Sequence, residues 1–302
     1  MVLKSRIKAW LRQRLVRQPS LEASSRSPFD DERFQFLLNE VSDLRIAMRA
    51  LTGPQSGGEG DTDQTKESFS YQWGEITEGA HLLGDPAFEK RMYELLATYS
   101  GRSRDWFKGK KVLDAGCGMG RWSYAMCKLG ADVTAIDQSA SGIAQIEKLL
   151  AETPNFTAQQ GDLLDPLPFA PDFDLVWCYG VTHHTGNTRL ATHNAARVVK
   201  PGGRLMLMIY GEPTKPGEFT EINTYVQHRR ATQCMSFEQK KAYLAERYPE
   251  KLVHGYFDAI SPEINDLHRL DEIETWLHEW GFVDIRRTIE NRNHHIICER
   301  RK

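Results

Sequence analysis

Lys111-Val-Leu-Asp-Ala-Gly-Cys-Gly-Met-Gly-Arg-Trp122 decides how the rest of this chain is read. It is a short apolar strand with an acidic residue near its end, followed by Gly116, Gly118 and Gly120 in the pattern G-x-G-x-G at the start of a helix. Glycines at a strand-to-helix turn allow a tight bend and let backbone N–H groups approach a ligand that a Cβ would obstruct. A dinucleotide cradle needs G-x-G-x-x-G/A. Here the third glycine comes one position early, and Arg121 stands where helix–strand packing would require a small residue. The turn reads as a small-ligand cradle of another kind.

Charge narrows the ligand. Asp114 lies two residues before the first glycine, at the carboxyl end of its strand, the edge where open α/β sheets bind ligands. A carboxylate there repels a pyrophosphate but attracts a cationic sulfonium compound that also carries an ammonium group, such as S-adenosylmethionine. Further strand-and-turn units follow at βαβ intervals. The run 131–136 ends in Asp137, whose two oxygens can accept both ribose hydroxyls. Residues 156–160 lead to Gly161-Asp162-Leu163, and 173–178 lead to Tyr179-Gly180. After the turn Lys200-Pro201-Gly202-Gly203 comes the apolar run 204–210.

In this order, VLDAGCGMG, VTAID, GDLLD, FDLVWCYGVTHHT and RVVKPGGRLMLMIYG resemble the motifs of the class I S-adenosylmethionine-dependent methyltransferases. The resemblance spans residues 111–211, with a closing segment at 270–300. It implies an α/β, Rossmann-like sheet of seven strands with the last antiparallel, and S-adenosyl-L-methionine as cofactor. It further implies that Gly116, Gly118 and Gly120 approach the cofactor's amino-acid part and that Asp114 anchors its ammonium group. Asp137 would hold the ribose with Gln138 beside it, Asp162 and Leu163 would take the adenine edge, and Tyr179 would contact the methionine end.

The remaining composition sets the context. A chain of 302 residues can bury a full core, and no apolar run approaches the length needed to cross a bilayer. Five cysteines without zinc-type spacing indicate reduced thiols and a cytoplasmic setting. The net charge is −2, but residues 1–17 carry six basic side chains and no acidic one, leaving −8 on the rest. A body that acidic lacks the basic footprint of a nucleic-acid-binding protein. In residues 1–17, Leu3, Ile7, Trp10, Leu11 and Leu15 share one helical face. That suits peripheral contact with an anionic membrane, a partner helix or an organelle-targeting segment. Apolar residues over 34–51 alternate spacings of three and four, as in a short coiled-coil seam that would make a homodimer, or in a helix packed on the main domain. Polar, glycine-rich 52–67 reads as a flexible linker, and 68–302 as the methyltransferase domain.

Candidates for substrate contact and chemistry come from outside the cofactor motifs. Phe69, Tyr71 and Trp73 place three aromatics in five residues just before the core domain, with Tyr71 and Trp73 expected to cap the pocket. His183 and His184 follow the fourth strand in the loop that, by the resemblance, lies beside the reactive methyl. An imidazole titrating near neutrality suits the removal of a proton from a hydroxyl acceptor. No local cluster of carboxylates suggests a metal. Residues 211–268 exceed the minimal fold and read as a helical lid, with helices over 218–229 and 236–248 and a loop at 254–258. Tyr210, Tyr256 and Asp258 are its substrate-contact candidates. The expected acceptor is a hydroxyl on a small molecule or glycan, lipid-linked if the basic tail meets a membrane. The alternatives are a nitrogen, sulfur or carbon acceptor, or a non-catalytic scaffold that only binds the cofactor.

Overall fold

The computed structural model describes residues 59–76 and 84–302. The expectations for residues 1–51 lie outside the described residues. In chain order the elements are α1 (Glu59–Glu75), α2 (Pro86–Ser100), β1 (Lys111–Ala115), α3 (Arg121–Lys128), β2 (Asp132–Asp137), α4 (Ala140–Leu149) and β3 (Phe156–Gln160). Then come β4 (Phe173–Tyr179), a 3-10 turn at Thr182–His184, α5 (Thr188–Ala196), β5 (Val199–Ile209), α6 (Pro216–Thr232), α7 (Phe237–Ala245), α8 (Glu250–Ile260), α9 (Leu270–Glu279), β6 (Phe282–Glu290) and β7 (His294–Arg300).

The strands form one seven-stranded sheet in the order β3-β2-β1-β4-β5-β7-β6. β1 to β5 are parallel, and β7 runs antiparallel to both β5 and β6, as the resemblance implies. The continuous apolar runs in the sequence follow from burial on both faces, because alternate side chains must each find a helix layer. On one face Leu113, Val176, Leu205 and Leu207 pack with Ala191 and Ala195 of α5 and Ile273 and Leu277 of α9. On the other, Val112, Leu175, Trp177 and Met206 pack with Leu96 of α2, Met126 of α3 and Ile146 of α4. Full burial of a side chain of this size contributes about 1.5–3 kcal/mol, so the two layers fix the register of the whole sheet.

Two expectations change. Of the expected linker 52–67, residues 52–58 lie outside the described residues and 59–67 are the first turns of α1, with polar side chains matched by the segment after α8. Gln64 donates to the Ser261 carbonyl at 2.9 Å and accepts from the Glu263 N–H at 2.8 Å, while Thr65 Oγ1 accepts from the Ile264 N–H at 3.0 Å. The stretch 254–258, expected as a loop, lies inside α8, where Val253, Phe257 and Ile260 recur at helical spacing and are all buried. Together with Ile76 and Leu244 they form a third apolar cluster, between the end of α1 and the lid. Ser236 caps α7 by accepting from the Gln239 N–H, in a capping box.

Candidate functional site

The glycine turn joins β1 to α3 at the carboxyl edge of the sheet, and its glycines serve different neighbours. At Gly118, φ is +54°, and an added Cβ would lie 2.9 Å from the Trp73 ring. At Gly120, φ is +87°, and an added Cβ would lie 2.2 Å from Ile146 Cδ1. At Gly116 the same atom would meet Val181 Cγ2 at 2.3 Å. The N–H groups of the turn are committed to the protein. Gly116 and Cys117 donate to the Ile136 carbonyl at 2.7 and 2.9 Å, Gly118 donates to Asp137 Oδ2 at 2.8 Å, and Gly120 donates to the Cys117 carbonyl at 2.9 Å. These glycines therefore provide close approach rather than a ring of free donors.

The acids at the strand ends differ in the same way. Asp114 is 1% exposed, accepts from Ser123 Oγ at 2.6 Å and lies beneath the turn, off the cavity wall. Burial pushes its carboxyl up to about 7, against the opposing effect of the Ser123 hydrogen bonds. As positioned, it braces α3 against β1 instead of facing a ligand. Asp137 does face the cavity. Its Oδ2 accepts from Gly118 and its Oδ1 from the Ser139 N–H at 2.8 Å, so each oxygen keeps one lone-pair direction. Burial raises its carboxyl above the ordinary range. Asp162, also on the wall, accepts from Lys66 Nζ of α1 at 2.7 Å and from the Leu164 N–H at 2.9 Å.

Between these edges lies a cavity with about 1010 Å³ of empty space, counting the part open to solvent. Gly116, Gly118, Asp137, Gln138, Asp162, Leu163 and Tyr179 line it, together with Trp73, His184 and Asp258 from the other candidates. Its roof is α1, where Phe69 and Trp73 stack at 6.0 Å between ring centroids, and α8, which contributes His254 and Asp258. His184 meets Phe69 edge-on at 4.8 Å. Its Nδ1 lies 3.0 Å from the Ile264 carbonyl, which can only accept, so Nδ1 carries the proton and Nε2 is left a buried acceptor with no protein partner. Burial lowers its pKa, keeping the ring neutral.

Five further candidates lie off that wall. Gly120 packs on Ile146. His183 is fully buried, stacked on Tyr210 at 3.9 Å with both ring nitrogens unpartnered, and burial drives its pKa well down. Tyr210 reaches the wall only through its hydroxyl, which donates to Asp258 Oδ2 at 2.5 Å. Tyr71 points into the lid, 5.5 Å from Phe237 and 5.7 Å from Phe257, because on a helix it lies opposite Phe69 and Trp73. Tyr256 stacks on Tyr248 at 3.8 Å, within the lid's own aromatic cluster. Sequence reasoning missed Phe69 and His254 as wall residues. The i, i+4 spacing of Phe69 and Trp73 would have paired them, but nothing local marked His254. Among the described residues there is no group of three or more His, Cys, Asp or Glu that could hold a metal ion, and no helix long and apolar enough to cross a membrane.

A parallel sheet with an antiparallel closing pair and a roofed cavity at its carboxyl edge defines the Rossmann-like methyltransferase fold. Residues 112–203, just under a third of the chain, match the family described as a methyltransferase domain, and over that region the chain is similar to S-adenosylmethionine-dependent methyltransferases. The chain is 36% identical over 109 residues to the mitochondrial ubiquinone biosynthesis O-methyltransferase of Schizosaccharomyces pombe, covering 35% of this chain and 40% of that protein. It is 38% identical over 100 residues to the ubiquinone biosynthesis O-methyltransferase of Coxiella burnetii, covering 32% and 42%. The match thus spans less than half the length of these relatives. Magnesium protoporphyrin IX methyltransferase from Synechocystis, solved with bound S-adenosylhomocysteine, shares the fold at a TM-score of 0.50 and 17% identity, over 79% of this chain and 97% of that one.

Proposed function

We propose that this chain methylates a hydroxyl group of a small molecule, with His184 as the general base. The observation that carries this reading is the setting of His184: it lies on the cavity wall, is fixed by the Ile264 carbonyl, and has its Nε2 lone pair unclaimed, while burial lowers its pKa. The O-methyltransferase names of the relatives support a hydroxyl acceptor. The cavity suits the cofactor because the turn brings backbone close at Gly118 and because Asp137 retains acceptor capacity for two hydroxyls. S-adenosylmethionine, when bound, supplies a methyl group on a sulfonium centre that departs as a neutral thioether.

The protein's work is then placement and proton removal. Asp137 would hold the ribose, Asp162 and Leu163 the adenine end, and Tyr179 the methionine end. Phe69 and Trp73 exclude water from above. His184 Nε2 takes the hydroxyl proton as the oxygen gains its new bond to carbon, and the imidazolium then returns the proton to solvent. The test is to incubate the full chain with S-adenosylmethionine and a metabolite extract, and to search by mass spectrometry for products heavier by one methyl group. A methylated hydroxyl whose yield falls steeply in His184→Gln supports the reading. Cofactor binding without transfer to any fraction would favour a scaffold role, and a methylated thiol or amine would remove the need for a base.

A further inference from the structure

Cofactor binding does not explain why the phenol of Tyr210 and the carboxylate of Asp258 meet beside His184. Tyr210 lies one residue past β5, and its surroundings hold it rigidly. His183 stacks on one side, the Arg292 guanidinium lies 5.6 Å from the ring centroid, and Arg292 Nη1 donates to the Gly211 carbonyl at 2.9 Å. The Tyr210 carbonyl accepts from the His268 N–H at 3.0 Å. Burial and the adjacent carboxylate push the phenol well above its ordinary range, so it stays a protonated donor. Asp258 takes that donor on Oδ2, and among the described residues no other side chain bonds its second oxygen on the cavity wall.

His184 lies edge-on to the Tyr210 ring at 5.3 Å between centroids. The charged and titratable groups facing it are His183 from its own turn, Asp258 and His254 from α8, Arg229 from α6, and Asp266 from the segment before α9, which also supplies the Ile264 carbonyl. Arg229 is engaged by the Ala259 and Pro262 carbonyls at 3.2 and 2.5 Å, and the Asp266 carboxylate lies 3.5 Å from the Thr188 hydroxyl. Of the two carboxylates that act on the imidazole, Asp258 and Asp266, Asp258 is therefore the one on the cavity wall. A buried histidine that accepts a proton becomes an uncompensated charge in a medium of low polarisability, a costly state unless an anion stands nearby.

We propose that Tyr210 is a positioning residue that holds Asp258 as the counter-charge for the imidazolium formed when His184 accepts the acceptor's proton. This rests on the reading of His184 as the base. A phenol suits the task better than lysine or arginine would, because it orients the carboxylate without cancelling its charge.

The test is an NMR titration of the His184 ring in the full chain, with the resonance assigned by its loss in His184→Gln. Asp258→Asn should lower the titration midpoint by about one pH unit or more. Tyr210→Phe, which keeps the ring and removes only the hydroxyl, should lower it by a smaller amount. Tyr256→Phe, altered within the lid cluster, should leave it in place. In the extract assay Tyr210→Phe and Asp258→Asn should each lower kcat about tenfold or more, while the Kd for S-adenosylmethionine stays within about threefold. A midpoint unmoved in both variants, with the wild-type chain active, overturns the counter-charge. A wild-type chain that transfers no methyl group, even with the midpoint shifting as described, instead overturns the base assignment beneath it.

Discussion

Replacing Gly120 by alanine separates a packing role from a ligand role, since the structure assigns this glycine to α4 rather than to the cavity. An L residue at φ +87° costs about 1–2 kcal/mol. The new Cβ would also lie 2.2 Å from Ile146 Cδ1, 2.4 Å from Cγ1 and 3.0 Å from Cβ. Ile146 is fully buried among Val133, Met126 and Ile143, so it cannot withdraw, and overpacking there costs about 1–3 kcal/mol. Gly120→Ala should therefore destabilise the chain by about 2–5 kcal/mol. Ile146→Ala alone costs about 2–5 kcal/mol through the cavity it leaves. It also removes Cδ1 and Cγ1, so in that background Gly120→Ala should cost only its backbone share of about 1–2 kcal/mol. Urea unfolding of the four chains in the cycle should thus show a favourable coupling of about 1–3 kcal/mol, with S-adenosylmethionine affinity by calorimetry within threefold for every folded variant. Additivity within about 0.5 kcal/mol, or a tenfold loss of affinity in a stable Gly120→Ala chain, would refute the reasoning.

Three further outcomes are expected. His183→Phe keeps the ring stacked on Tyr210 and deletes two buried unpartnered nitrogens, so urea unfolding should show unchanged or slightly raised stability, by up to about 1 kcal/mol, while His184→Gln should lose about 100-fold or more in methyl transfer. Asp114 has a folded-state pKa of about 7, above the unfolded value of 3.8, so its contribution is fully present below pH 3.8 and lost as pH rises through 7. The stability of the wild-type chain relative to Asp114→Asn should accordingly fall by up to about 4 kcal/mol between pH 4 and pH 8, and parallel pH curves for the two chains would contradict the buried carboxyl. Trp73→Ala should weaken S-adenosylmethionine binding about tenfold in calorimetry by opening the roof above Gly118, and an unchanged Kd would place that ring outside cofactor contact.

The sheet was legible because its signals are local. β1, β2 and β4 are apolar runs that each end in a glycine or an acid, and β6 and β7 fall within the closing segment expected at 270–300. The start of α1 was not legible, because its polar side chains look like linker until the Ser261–Ile264 segment is brought against them from nearly 200 residues away. The same applies to the proposed catalytic end. His183 and His184 are adjacent and chemically identical, and only the Ile264 carbonyl and the Tyr210 ring distinguish the one on the wall from the one beneath it.

By itself the sequence determined where the parallel strands begin and end, the class of ligand and the acids at the strand ends, because two-sided burial, glycine geometry and charge act over a few neighbouring residues. Only the tertiary structure decided which of those groups face the cavity. It turned Asp114 inward to Ser123, set Phe69 with Trp73 and away from Tyr71, and brought Asp258 to Tyr210 across the lid. Side-chain direction depends on helix phase and on contacts between distant segments, and neither is written in a short window of residues.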